Sequence, residues 1–284
     1  MAEVEQVPGS ECHHGEGPCW ADAWGGLRWV DMLAGDVMSL DQQAGVTRSH
    51  VGKVAAVIRP RVSSGAVVAL GDRFAVTDGD LARLRTVARP TLGTGVRLND
   101  GGCDPDGRFY CGSMASDETP QAGTFFRLDS DGSVRSVLDK VTISNGFDFA
   151  PDGSVAYYID TSEQGIDVFD YSRATGLVNR RRWIDIPEEA GRPDGLTVDA
   201  EGGVWVALMG GSAVHRYSAA GTLDVVITLP VSQVTACTFG GPGLDTLFVT
   251  TSRLGADMSA HPASGSLFAA RPGVRGLPCR PFAG

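Results

Sequence analysis

Apolar residues along this chain recur at every second position in short runs, and a helical spacing is hardly ever sustained. In the run from Val204 to Leu208, Val204, Val206 and Leu208 fall on one face while Trp205 and Ala207 fall on the other. The same alternation marks Leu27 to Asp31, Val67 to Leu70, Phe125 to Leu128, Ile166 to Phe169 and Leu247 to Thr250. Polar stretches with Gly, Asp and Pro separate the runs, as tight turns between short strands require. The pattern predicts an all-β chain.

The strands are grouped in a repeat. Residues 97–115 read RLNDGGCDPDGRFYCGSMA, residues 143–162 ISNGFDFAPDGSVAYYIDTS and residues 192–210 RPDGLTVDAEGGVWVALMG. Each has a polar leader, an apolar stretch, an acidic-Gly turn and a second strand. The turn glycines Gly107, Gly153 and Gly202 stand 46 and 49 residues apart, which is the period of a propeller blade. Over 284 residues such a period gives about six blades. The segment GEGPCWADAWGGLRWVDMLAGDVMSLD matches a first blade, VSSGAVVALGDRFAVTDG a second and VTACTFGGPGLDTLFVTTSR a sixth. No linker or shift in composition interrupts the series, so residues 1–284 are expected to form a single six-bladed β-propeller domain.

Composition narrows the partners. The formal net charge is -10, and the one dense basic cluster is Arg180-Arg181-Arg182, which is expected to be a solvated strand end or loop. A nucleic-acid partner is therefore not expected, because a phosphate backbone needs clustered cations. The N-terminus has no secretory pattern and no apolar run reaches membrane-spanning length. A cytoplasmic protein with no membrane partner is expected. The six cysteines are then expected to be reduced structural thiols.

Candidate chemistry lies in the leaders. Asn99, Asn145 and Asp194 recur with the same 46- and 49-residue intervals, so in a propeller they point to a common axis. Glu16, leading the first blade, would join them. Two carboxylates and two amide oxygens form a hard-donor set suited to Ca²⁺, Mg²⁺ or Mn²⁺. The competing explanation is that Asn or Asp before Gly simply makes a turn. His13 and His14, near Cys12, Glu16 and Cys19, have no zinc-site spacing, since adjacent residues of a strand face opposite ways. His215 and His261 read as ordinary surface or strand residues.

The motifs GEGP at 15–18, RLNDGGCDPDGRFYCGSMA at 97–115, ISNGFDF at 143–149, YYIDT at 157–161, RPDGLTVDAEGGVWVA at 192–207 and GVRGLP at 273–278 resemble those of the gluconolactonase, regucalcin and senescence-marker-protein family. The resemblance implies a six-bladed propeller with one divalent metal ion (Ca, Mg, Mn or Zn) in the central channel. By motif, it implies Glu16, Asn145 and Asp194 as the metal's ligands. It places Arg97, Asn99 and Asp117 against the substrate, with Glu118 as the neighbouring alternative to Asp117. Arg97 could instead pair with Asp100 or Asp104. Residues 163–190 match no family motif and are expected to include loops at the channel rim.

The activity so implied is metal-dependent hydrolysis of a sugar lactone, with Asp194 orienting or deprotonating the attacking water. A metal-dependent phosphotriesterase or aryl-esterase of the same fold is an alternative, as is a non-catalytic calcium-binding regulatory propeller. Oligomeric state leaves no signal in the sequence.

Overall fold

The computed structural model describes residues 3–41 and 45–284. Strand β1 (Val4–Gln6) stands apart from the first blade, which consists of β2 (Gly15–Ala21), β3 (Gly26–Asp31), β4 (Asp36–Asp41) and β5 (Gly45–His50). Blade two is β6 (Ala55–Pro60), β7 (Ala66–Leu70), β8 (Phe74–Thr77) and β9 (Arg85–Ala88). Blade three is β10 (Val96–Cys103), β11 (Phe109–Ala115), β12 (Gly123–Leu128) and β13 (Val134–Val141). Blade four follows as β14 (Ser144–Phe149), β15 (Val155–Asp160), β16 (Gly165–Ser172) and β17 (Gly176–Asp185). Blade five is β18 (Arg192–Val198), β19 (Val204–Met209), β20 (Ala213–Tyr217) and β21 (Leu223–Thr228). Blade six takes β22 (Val234–Gly240), β23 (Thr246–Thr251) and β24 (Phe268–Ala270) from the end of the chain, and β1 as its outermost strand.

Pairing within each blade is antiparallel, and β1 joins β24 through Val4 opposite Ala270 and Gln6 opposite Phe268. The inner strands touch in a closed series, β2 to β6, β10, β14, β18, β22 and back to β2. Helical residues among those described are confined to 3-10 turns such as Asp22–Trp24 and Thr161–Glu163.

The core is divided among the blade interfaces, which is why both faces of the middle strands are apolar. Val204, Val206 and Leu208 pack with Tyr157, Ile159 and Ile166 of blade four. Trp205 and Ala207 turn to Val234, Phe239 and Phe268 of blade six. The alternation seen in the sequence is thus a division between two neighbours. Phe125 and Phe147 meet edge to face across blades three and four, with centroids 5.1 Å apart.

The repeated turns have a common construction. Asp104 Oδ1 accepts the backbone N–H of Asp106 and Arg108, and Asp199 Oδ1 accepts those of Glu201 and Gly203. Gly107 and Gly202 follow at φ 77° and 82°, a conformation that favours glycine. These turns lie at one face of the ring.

After β24 the chain runs across that face as a strap that touches all six blades. Ala200 N–H donates to the Arg275 carbonyl, Gly276 N–H to Leu244, Phe282 N–H to Pro60 and Ala283 N–H to Gly107, each at 2.8 Å. Arg280 reaches the Ala150 carbonyl, and Cys279 meets Cys19 of blade one. Phe282 is buried against Phe109.

Two expectations need correction. Most of residues 163–190 form β16 and β17, the outer half of blade four, because alternating apolar residues such as Ile166 and Val168 bury there; they are not channel-rim loops. Arg180, Arg181 and Arg182 are solvent-exposed as expected but lie in the middle of β17, not at a strand end or in a loop, with Arg180 and Arg182 paired to Asp167 and Arg181 to Asp170.

Candidate functional site

Every inner strand carries one extra residue relative to its partner, at the same level of the ring. The breaks fall between Glu16 and Cys19, Ala55 and Val57, Leu98 and Gly101, Ser144 and Phe147, Pro193 and Leu196, and Val234 and Ala236. Bulges re-aim side chains without ending a strand. Asn99, Asn145 and Asp194 sit in these breaks, and Glu16 is the last paired residue before its own. Blades two and six have Ala56 and Thr235 there, and the Thr235 hydroxyl donates to the Gly15 carbonyl at 2.6 Å.

The glycines that follow show why these motifs recur. A Cβ on Gly146 would lie 2.7 Å from Leu196 N, and one on Gly195 would lie 2.4 Å from the Ala236 Cβ. Neither glycine has a positive φ. They allow inner strands to approach closely, so Asn145 and Asp194 are strand residues and the turn-making explanation fails for them.

Glu16, Asn99, Asn145 and Asp194 are all buried. A directed chain of donors fixes the amides. Arg97 Nη1 donates to Asn99 Oδ1 at 2.5 Å, and Asn99 Nδ2 donates to Asn145 Oδ1 at 2.7 Å. Asn145 Nδ2 donates to Thr161 Oγ1, whose own proton goes to the Pro193 carbonyl, both at 2.7 Å. Because Thr161 must accept from Asn145, the Asn145 oxygen is turned the other way, toward Asn99.

The carboxylates are under strain of another kind. Burial pushes the Glu16 pKa well above its usual value, and the charges of Asp194 and Asp100 add to the shift. Burial and Asp100 do the same to Asp194. Gly17 N–H donates to Glu16 Oε2 at 3.1 Å, but Asp194 Oδ1 is buried without a hydrogen-bond partner. An orphaned buried carboxylate oxygen beside a second carboxylate fits a divalent cation, which would satisfy the one and relieve the repulsion between both. Glu16, Asp194 and the Asn145 amide oxygen could hold it. Among the described residues no three His, Cys, Asp or Glu side chains form a metal-holding group, so a site here depends on the amide donor.

Arg97 pairs with neither Asp100 nor Asp104. Asp100 has Arg59 at 3.7 Å, and Asp104 is bound by Arg108 at 2.5 Å. Asp117 is exposed in the turn after β11, where its Oδ1 accepts from Thr119 N and Oγ1. Its neighbour Glu118 pairs with Arg192 at 3.1 Å, and the charge of Glu118 is felt at Asp194 and Arg97.

Three further side chains lie near the site, of which Arg59 and Arg192 were not singled out from the sequence. His14 is buried with Nδ1 2.8 Å from Ser252 Oγ and Nε2 3.9 Å from Glu16 Oε1, and burial lowers its pKa to about 4. It is neutral at ordinary pH. Arg59 donates to the Gly17 carbonyl at 3.1 Å and lines the same cavity as Asp100. Arg192 immediately precedes the PDG motif, a proximity that was a usable signal.

The comparisons agree with this architecture. A family model described as the SMP-30/Gluconolactonase/LRE-like region matches residues 14–253. Regucalcin of Bos taurus is 34% identical over 299 residues, covering 99% of each chain. A pentonolactonase of Haloferax volcanii is 38% identical over 264 residues, covering 90% of this chain and 88% of its own. Among solved structures, the calcium-binding protein regucalcin from Agrobacterium tumefaciens superposes with a TM-score of 0.92 at 26% identity, covering 99% of this chain and 97% of that one. With the family model spanning most of its length and these relatives matched almost from end to end, the chain belongs to the SMP-30/gluconolactonase/LRE-like family.

Proposed function

We propose that this protein hydrolyses a sugar lactone with the help of one divalent metal ion held by Glu16, Asn145 and Asp194. The observation that carries the reading is the unpartnered, buried Asp194 Oδ1 in the same axial group as a second carboxylate of raised pKa. The pentonolactonase relative supports a lactone as the substrate class. When bound, a divalent ion would supply Lewis-acid polarisation of the ester-like carbonyl.

The chain's own groups divide the remaining work. Asp194 orients the attacking water and takes its proton. Asn145 is held with its oxygen toward the axis by the Thr161 acceptor. Arg97 and Asn99 hold substrate hydroxyls; Arg97 makes no ion pair among the described residues, so its charge is available to the channel. Asp117 contributes from the rim, where its Oδ1 is fixed by Thr119 while Oδ2 has no hydrogen-bond partner among the described residues.

The test is proton release from five- and six-carbon aldonolactones, with and without a chelator. Metal-dependent turnover supports the reading. Tight calcium binding without turnover of any lactone would replace it with the regulatory propeller. Turnover confined to aryl esters or phosphotriesters would favour the other hydrolase class.

A further inference from the structure

Beneath the strap, a cavity of about 60 Å³ is lined by Cys19, Cys103, Cys237 and Cys279 together with Arg59, Asp100 and Asp148. Cys19 Sγ lies 2.9 Å from Cys279 Sγ, within about 0.9 Å of the roughly 2.05 Å disulfide bond. We propose that Cys19 and Cys279 are a peroxide-oxidisable pair whose disulfide fastens the C-terminal strap to the inner strand of blade one. Cys279 is the partly buried member on the strap, and Cys19 is buried in β2, three residues beyond Glu16. Cys279 accepts a hydrogen bond from the Cys19 thiol, and this contact, with the charges of Arg59 and Arg280, lowers its pKa against burial and Asp148, which raise it. Burial and the contact with Cys279 hold Cys19 as the thiol.

The chemistry balances with hydrogen peroxide as oxidant. The Cys279 thiolate attacks one peroxide oxygen, the O–O bond breaks, and Cys279 becomes a sulfenic acid as hydroxide leaves and takes up a proton to become water. Cys19 sulfur then attacks the sulfenic sulfur. The S–S bond forms, the S–O bond breaks, and the Cys19 proton leaves with the oxygen as a second water. Two thiols lose two electrons and peroxide gains them. The proposal is independent of the lactonase reading, because its test requires no turnover.

The experiment treats the folded wild-type protein with hydrogen peroxide at low molar excess, then maps peptides without reduction and counts free thiols. The expected product is a Cys19–Cys279 linked peptide, with two of the six thiols lost and both regained with dithiothreitol. The thermal midpoint should rise by roughly 5–10 °C on oxidation, and in C279S neither the link nor the rise should appear. A link from Cys279 to Cys103, or oxidation of Cys279 to sulfinic acid without a link, overturns the pair. C19S provides a second check: it removes the link while leaving Cys279 to accumulate as sulfenic acid, trappable with dimedone. If dimedone does not label Cys279 in C19S, the assignment of the attacking thiol fails.

Discussion

Asn99 Nδ2 donates across 2.7 Å to Asn145 Oδ1, so the amide oxygen assigned to the metal is held by a neighbouring blade. Asn99→Ala removes that donor while leaving all three proposed ligands in place. Metal affinity should fall roughly 10–100-fold, as it does when an outer partner of a ligand is lost. Calorimetric titration measures it, and an unchanged Kd would remove Asn99 from the site's support.

Direct ligand changes should separate charge from binding. Glu16→Gln, Asn145→Ala and Asp194→Asn should each weaken metal binding, whereas His13→Ala should not, since the His13 side chain is exposed. Glu16→Gln should also stabilise the metal-free protein by about 1–3 kcal/mol, because one of two mutually repelling buried carboxylates becomes neutral. Denaturant titration in chelator reads this. A less stable metal-free Glu16→Gln protein would show that Glu16 is held by something other than a cation.

The pH dependence has a definite sign. Both Glu16 and Asp194 have folded-state pKa values raised above their ordinary ones, so without metal they favour the fold at low pH. That contribution is lost as pH rises through the raised values. Metal must displace these protons, so affinity should rise with pH until the raised values are passed and level off above them. Melting curves at several pH values should show metal stabilising the protein most at the alkaline end. Equal stabilisation at pH 4 and pH 8 would contradict the assignment.

Asp117 tests recognition apart from chemistry. Asp117→Ala should leave metal Kd unchanged and raise KM for a polyhydroxylated lactone about 10-fold, with little effect on an unsubstituted one. Asp194→Asn should depress kcat for both. If Asp117→Ala behaves as wild type and Glu118→Ala raises KM, recognition passes to the Glu118–Arg192 pair.

Asn99, Asn145 and Asp194 were legible because a repeat carries equivalent positions to one axis, and Gly146 and Gly195 mark close approach between blades. Ala56 and Thr235 occupy the bulges of the other two blades but have no carboxylate or amide to signal it. For His14 the alternation that keeps two adjacent histidines from sharing a site also turns one of them inward. The pairing of β1 with β24 could not be seen locally, because its partners are separated by almost the whole chain. The alternation of β16 was visible at Ile166 to Phe169, but β17 was obscured by the polar face it shows to solvent.

The pairing of Val4 with Ala270 also places a constraint on birth. On the ribosome the first strand emerges long before its partner exists; at roughly 5–20 residues per second, about 260 intervening residues take on the order of 13–50 s to make. Throughout that interval β1 has no sheet to join and the sixth blade has no outer edge. Nascent chains would therefore gain protease resistance in the middle blades first, with the segment made earliest becoming protected among the last.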